Sequence, residues 1–466
     1  MLGMGNMRQW LMNISLVGGW FPAAAFAVVA VLSVTLLVSA DVSKRDGRIL
    51  ATVLPIGVEA VSGMVGYVVA WLLSDVFVVF GVGLGSRVMA WVAAGFAIAG
   101  FAIVHIVLSR GMMRVAAAIL TVFAILAAAI GIDQSYGEYA TIGSLFGEDS
   151  YSQADLTGLA KRKDLITVAQ WRKQAANGTI RNIPANGTVN KIDIPATKSQ
   201  FEARKALVYL PPAALADSKR KPALPVVLML SGQPGSPGRV FQAGGIQTMM
   251  DGYAKTHDGL APIVIAADQL GADSHNTLCV DSKVYGNALT YLTQDVVDWV
   301  KTNLPAAQDA KDWAIAGFSQ GATCSLQIGV NHPDLFGTMI PTDSEIKPTN
   351  GSRQEMIDRF FDGDTTAYEN QVPVNAIRNH APTHQMLIIG AGEKDTTSIR
   401  NVKTIAPVAA KAGMRVAAVE SSGNAHDWHA VQDVLRYGLA VFGHDTGLDG
   451  ANPNLSDYPN LKRITI

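Results

Sequence analysis

The chain has 466 residues, enough for more than one structural unit, and only 16% of them are charged, below the quarter usual in soluble domains. Its 37 Lys and Arg nearly balance 38 Asp and Glu, so it lacks the basic excess that nucleic-acid binding uses. Its two cysteines, Cys279 and Cys324, cannot form a zinc site alone and lack the CxxC spacing of a redox pair.

The charge deficit is concentrated in residues 1–132. Residues 16–40, 49–73, 88–108 and 113–132 each reach the length of about 20 apolar residues that crosses a bilayer. The first is too long for the core of a signal peptide, although Val38-Ser39-Ala40 has the small-residue pattern of a cleavage site. It is read as retained. Lys44, Arg45 and Arg48 follow the first stretch, and Arg110 and Arg114 separate the third from the fourth. The N-terminus offers only Arg8, and the second loop only Arg87. Cationic short loops stay in the cytoplasm. Both termini, and everything after Ile132, are therefore expected outside. Glu59 and His105 are ionisable groups within the spans. At a rise of about 1.5 Å per residue they lie at different depths and are not expected to pair. Each is expected to face the bundle interior and bond a serine or a carbonyl.

Residues 133–186 are mixed and polar, and read as a linker with short helices, one of them over 156–176. From residue 187 strands and helices alternate. Residues 191–194 and 206–210 read as edge strands, the second ended by Pro211-Pro212. Residues 226–230, 263–267, 313–317, 339–341, 386–389 and 415–419 are short apolar runs. That pattern belongs to parallel strands buried on both faces. Residues 291–304 place Val296, Val297 and Val300 at helical spacing. Such a sheet carries its sites at the carboxyl ends of the strands.

One of these ends reads Ala314-Ile315-Ala316-Gly317-Phe318-Ser319-Gln320-Gly321-Ala322. A G-x-S-x-G between a strand and a helix is a nucleophile elbow: the serine takes a strained backbone conformation on a tight turn, and small neighbours let helix and strand approach. The N–H of the following residue, Gln320, then points to where an oxyanion forms. The run 226–230 leads into Ser231-Gly232-Gln233-Pro234-Gly235, which makes Gln233 the second backbone donor.

A nucleophilic serine needs a base. Of nine histidines, His105 lies in a span, and His257, His275 and His332 precede or closely follow the elbow. His380 and His384 precede or begin a strand, and His444 is near the end. His426 and His429, in Gly423-Asn424-Ala425-His426-Asp427-Trp428-His429, follow the last predicted strand, as the order serine, acid, histidine requires. His426 closes a loop of small residues, whereas His429 already begins a helix, so His426 is the expected base. The acid is expected after 386–389, where Gly390-Ala391-Gly392-Glu393-Lys394-Asp395 offers Asp395 and, as its rival, Glu393. Asp395 also suits the N-cap of a following helix.

Together, "ARKALVYLPP", "LPVVLMLSG", "GFSQG" and "GNAHDW" resemble the esterase-D-like α/β-hydrolases, a branch that includes the secreted mycolyltransferases of actinobacteria and enterochelin-type esterases. More narrowly, the chain resembles actinobacterial membrane proteins with an N-terminal helix bundle and an extracytoplasmic domain of this kind. The resemblance covers about residues 187–442. It implies an N-terminal four-helix transmembrane bundle (1–132), the linker (133–186), an α/β-hydrolase domain with a mostly parallel sheet covered by helices on both faces (187–442) and a C-terminal tail (443–466). It implies Ser319 as nucleophile, His426 as base, Asp395 as acid, and Gln233 and Gln320 at the oxyanion positions. The sequence departs from the branch in having Ser231-Gly232 where His-Gly or Asp-Gly is usual. The acid position varies within the branch, so Glu393 stays open.

An extracytoplasmic location permits a disulfide between Cys279 and Cys324, tying the loop after 263–267 to the helix that leaves the elbow. The alternative is two buried thiols. Asp281, Ser282 and Asn287 either line the site or cap and turn this loop. The expected reaction is acyl transfer through an acyl-serine, with no cofactor and no metal. Tethering to the outer leaflet points to esters of envelope lipids or glycolipids, carrying acyl, mycolyl or aminoacyl groups. Water as acceptor makes the protein an esterase and an alcohol makes it an acyltransferase. A non-catalytic envelope assembly protein is the third reading.

Overall fold

The computed structural model describes residues 2–39, 53–77, 84–149, 151–159, 164–180 and 182–466. Ala40 of the cleavage-like pattern and the first-loop cations Lys44, Arg45 and Arg48 lie outside the described residues. The chain divides into two compact units: Met1–Glu148 with Ala425–Asp427, and Asp149–Asn424 with Trp428–Ile466.

The first unit opens with a helix that the sequence reading omits, α1 (Leu2–Met12). Then come α2 (Trp20–Val38), α3 (Leu54–Trp71, prolonged by a π turn to Val76), α4 (Gly85–Leu108) and α5 (Met112–Tyr136). These four are long and apolar enough to cross a membrane. Their exposure pattern is that of lipid-facing helices. Val31, Val61, Val122 and Ile125 are each more than 60% exposed, which no aqueous fold favours. Close approach uses small residues: a Cβ on Gly100 would fall 2.3 Å from Ser62 Oγ. Backbone bonds from Leu16 N–H to Ala140 O (3.0 Å) and from Ile142 N–H to Ile14 O (2.9 Å) bring together the segment before α2 and the segment after α5. Helix α5 runs past residue 132 to Tyr136, where Gly137 ends it in the left-handed conformation (φ 67°).

His105 is buried, its ring 4.5 Å from that of Phe101, and its Nε2 has no hydrogen-bond partner among the described residues. This differs from the expected bond to a serine or carbonyl. Glu59 lines a lateral cavity of about 340 Å³ with Ser33, Leu37, Ile56, Ile98 and Phe101.

The second unit is built on one ten-stranded sheet. Its strands are β1 (Ser152–Gln153), β2 (Thr188–Ile192), β3 (Ala206–Leu210), β4 (Val226–Leu230), β5 (Ile263–Ala266), β6 (Trp313–Phe318), β7 (Thr338–Thr342), β8 (Met386–Gly392), β9 (Arg415–Ser421) and β10 (Leu461–Arg463). The order across the sheet is β1-β2-β3-β5-β4-β6-β7-β8-β9-β10. The run from β5 through β9 is parallel, and β3 and β10 are antiparallel to their neighbours. Strands β4 to β8 are wholly buried because both faces are covered. Leu228, Ile265, Ile315 and Leu387 point into one core with α10 (Gln320–Asn331) and α11 (Thr396–Lys411). Val227, Val264, Ala314 and Ile388 point into the other, with α7 (Pro237–Ala243), α8 (Ile246–Lys255) and α12 (Trp428–Asp445). Helices α6 (Val168–Ala176) and α9 (Val296–Asn303) pack into the first core through Trp171, Val296 and Val300.

Several readings change. No helix begins at 156: Leu165–Ile166 pairs with Lys221–Pro222, and α6 starts at Val168 because Thr167 and Gln170 form a reciprocal capping box. The linker thus contributes β1 and one strand of a short pair to the fold. Strands β2 and β3 are both interior rather than edges, since β1 pairs on the far side of β2 and β5 on the far side of β3. The tail supplies β10, too short and too polar at Lys462 and Arg463 to show by alternation.

The crossing of β4 and α10 is tight. A Cβ on Gly321 would sit 2.3 Å from Ser231 O and 2.6 Å from Leu230 O. Gly321→Ala is therefore expected to destabilise the second unit by about 2 kcal/mol through overpacking against rigid backbone. Denaturant unfolding of the intact chain in detergent, with an unchanged midpoint as the contrary result, checks this.

Candidate active site

Ser319 stands between β6 and α10 with φ 55° and ψ −117°. Positive φ is unfavourable for a residue with a Cβ, and it persists only where the surroundings enforce it. Here they do. Ser319 N–H donates to Thr342 O at 3.0 Å, and a Cβ on Gly317 would meet Gly321 O at 2.2 Å. Both glycines of the motif are thus required by close backbone approach. Gln320 is the first residue of α10, so its N–H has no acceptor within the helix and sits at the positive end of the helix dipole.

The segment after β4 runs alongside. A Cβ on Gly232 would lie 3.5 Å from Ser319 Cβ. The Gln233 side chain turns outward and donates to Ser274 O at 3.1 Å. The two segments proposed from sequence as oxyanion donors therefore flank the serine.

The next three strand ends deliver acids and a histidine. Asp343, directly after β7, is fully buried with φ 55°. Its N–H donates to Gly390 O and its Oδ1 accepts from Gly392 N–H, both at 2.9 Å. Asp395, after β8, is buried, and its Oδ1 accepts Ser398 N–H at 3.0 Å, so it caps α11. His426 lies in the connection from β9 to α12, while His429 is already on the first turn of α12. One atom each of Asp343, Asp395 and His426 lie within 4.8 Å of one another. Such a trio also offers three ligand atoms to a cation, though one oxygen of each carboxylate is already engaged by a backbone N–H.

Asp343 was missed in the sequence. Its signal is a carboxylate two residues beyond the predicted strand 339–341, which the sheet order places beside the elbow strand. Glu393 stays outside the trio. Asp281, Ser282 and Asn287 take structural roles: Asp281 accepts from Thr290 N–H and Oγ1, Ser282 Oγ accepts from Tyr285 N–H, and Asn287 Nδ2 donates to Ser199 O. Cys279 and Cys324 are joined by a disulfide, which fastens the loop carrying Cys279 to α10.

Residues 198–438, about half of the chain and within the α/β domain, match the Esterase family. The chain belongs to the Esterase family. Its α/β-hydrolase domain is thus of esterase type, set behind four candidate membrane-spanning helices. It is 32% identical over 333 residues to an uncharacterized protein of Corynebacterium glutamicum, covering 70% of this chain and 74% of that one. Among solved structures it is similar to an S-formylglutathione hydrolase of Agrobacterium tumefaciens (16% identity, TM-score 0.46, covering 57% of this chain and 98% of that one). It is also similar to MPT51 of Mycobacterium tuberculosis (14% identity, TM-score 0.41, covering 56% and 98%).

In this esterase the histidine loop is fastened where it leaves β9. Buried Asp433 accepts from Ser421 Oγ at 2.7 Å and from Asn424 Nδ2 at 3.2 Å. Lys394 N–H donates to Asn424 O at 2.9 Å. Glu393 Oε2 accepts Gly423 N–H at 2.7 Å, and its Oε1 meets Lys462 Nζ at 2.9 Å. The Gly423 N–H, and then Lys462, hold the Glu393 carboxyl below the usual carboxylate range. A carboxyl held low in the folded state stabilises the fold above its unfolded value, and that contribution disappears as pH falls through the lowered value. Glu393→Gln is accordingly expected to lower the unfolding midpoint slightly at neutral pH and to match the parent below the carboxylate range. Thermal unfolding of both proteins across pH checks it, and a difference that grows toward acid contradicts it.

Proposed function

We propose that this protein is a membrane-anchored serine esterase whose catalytic domain lies outside the cytoplasm and hydrolyses ester bonds of envelope lipids. The observation that carries the reading is Ser319, held at positive φ on the elbow between β6 and α10 and flanked by the Ser231–Gln233 segment. The proximity of His426 to Asp395 and Asp343 supports it.

His426 takes the proton of Ser319 Oγ as the oxygen attacks the ester carbonyl carbon. The N–H groups of Gln233 and Gln320 hold the resulting oxyanion. His426 returns the proton to the departing alcohol, leaving an acyl-serine. Water, deprotonated by His426, then attacks the acyl carbon, and the acid leaves as the Ser319 hydroxyl re-forms. Asp395 holds the imidazole in the tautomer and orientation this requires. Asp343 adds a second carboxylate beside it and, through Gly392, fixes the loop that carries Asp395.

The cationic loops support a topology with both termini outside. So does the pairing of residues 14–16 with 140–142, which an even number of spans requires. The disulfide suits an oxidising compartment. Tethered to the outer leaflet, the domain meets acyl, mycolyl or aminoacyl lipid esters at high effective concentration.

The test is incubation of the purified protein in lipid, beside Ser319→Ala, with the total polar lipids of its source organism, followed by mass spectrometry. Loss of one ester with release of free acid, slowed at least about 1,000-fold in Ser319→Ala, is the expected result. A serine-dependent new ester makes the protein an acyltransferase, and equal behaviour of the two proteins refutes the reading. In the same assay His426→Ala is expected to match Ser319→Ala, with His429→Ala near the parent. Asp395→Asn is expected to cost far more turnover than Glu393→Gln. Reversal of either pair reassigns the base or the acid.

A further inference from the structure

The loop after β5 contributes a side chain that no sequence motif marks. Gln269 is fully buried. Its Nε2 donates to Ser231 O at 2.7 Å, and lies 3.3 Å from Ser231 Oγ and 3.2 Å from Gln320 Oε1. Gln320 Nε2 passes the pattern on to Asn276 Oδ1 at 3.2 Å, and Asn276 Nδ2 donates to Thr349 O at 3.0 Å. Three amides thus donate in one direction. The order is fixed chemically, because turning the Gln269 amide over would set its oxygen against the Ser231 carbonyl oxygen.

The mount of Gln269 is rigid. Its carbonyl accepts Thr277 Oγ1 at 2.7 Å. The preceding residue, Asp268, is fully buried and gripped by Arg204 through Nε at 2.9 Å and Nη2 at 2.7 Å. Asp268 also accepts Leu270 N–H and Gly271 N–H, both at 3.1 Å. Arg204 Nη2 reaches Gly235 O at 2.9 Å, at the far end of the segment that holds Gln233.

We propose that Gln269 is a positioning residue for the oxyanion hole, an inference that rests on Ser319 being the nucleophile. One buried amide ties the two segments whose N–H groups must converge on the same oxygen. Holding Ser231 O fixes the plane of the Ser231–Gly232 peptide, and so limits where the next peptide, bearing Gln233 N–H, can point. Holding Gln320 Oε1 pins the residue that supplies the other donor. Donors that must meet a developing charge within a few tenths of an ångström need such a brace, because misplacement by about 1 Å costs about 100-fold in rate.

The experiment uses the full-length protein in detergent micelles with p-nitrophenyl butyrate as substrate and an alkylboronic acid as inhibitor. The boronate forms a tetrahedral adduct on the serine and places an oxygen in the oxyanion hole. Gln269→Met keeps the length and removes the donor. It is expected to lower kcat by about 10- to 100-fold with KM within about twofold, and to weaken the boronate by a similar factor. A folded Gln269→Met with kcat within about twofold of the parent overturns the proposal, and so does a fall in kcat with boronate affinity unchanged. Should Gln269→Met fail to fold, Gln269→Glu decides. Its kcat relative to the parent at each pH is expected to rise as pH falls, because the protonated carboxyl regains a donor for Ser231 O; a flat ratio overturns the proposal. Ser319→Ala runs alongside. Retained activity there refutes the nucleophile itself, whereas an inactive Ser319→Ala beside a fully active Gln269→Met refutes only the role of Gln269.

Discussion

The packing of Gly321 against the carbonyls of Leu230 and Ser231 is the constraint on which the rest of the site depends. It brings the start of α10 against the end of β4 with no side chain between them. The serine on the intervening turn must then take positive φ, and the turn is closed from the other side by the bond from Ser319 N–H to Thr342 O. The cost of a strained residue, about 1–3 kcal/mol, is offset by a sheet buried on both faces. The result is a partly exposed reactive position on a rigid support, which is what a nucleophile requires.

From that crossing outward the site is held by buried polar contacts more than by apolar packing. Gln269 joins β4 to α10, Arg204 with Asp268 fixes the loop that carries Gln269, and Asp433 on α12 holds the start of the histidine loop. Each makes more than one hydrogen bond, and in low-dielectric surroundings such bonds are strong. The disulfide adds a covalent tie between the loop at Cys279 and α10. In the first unit the logic is inverted. Aliphatic residues face outward, small residues set the helix spacing, and the few polar groups such as His105 are turned in.

The central strands were legible because residues such as Val226–Leu230 are apolar without interruption, which only a doubly covered strand tolerates. The elbow was legible because Gly317 and Gly321 serve a local geometry that repeats wherever a strand turns into a helix around a serine. The outer elements were less so. Strand β10 is three residues long, and β1 two, so neither displays a period. Helix α6 is shorter than the helical pattern over 156–176 because the capping box of Thr167 and Gln170 starts it at Val168. Asp343, Gln269 and Asp433 carried no motif, since their partners are distant in sequence and their residue types are common on surfaces.

The sequence by itself determined the four apolar spans, the parallel sheet, and the positions of Ser319, His426 and Asp395 relative to strand ends. These follow from local periodicity and from turn chemistry, which neighbouring residues encode. Only the tertiary structure decided which acid stands near His426, placed Asp343 beside it, assigned Glu393 to the loop clamp and joined Gln269 to both oxyanion segments. Those outcomes depend on strand order, which brings together residues that lie 30 to 100 positions apart, and no local pattern can express it.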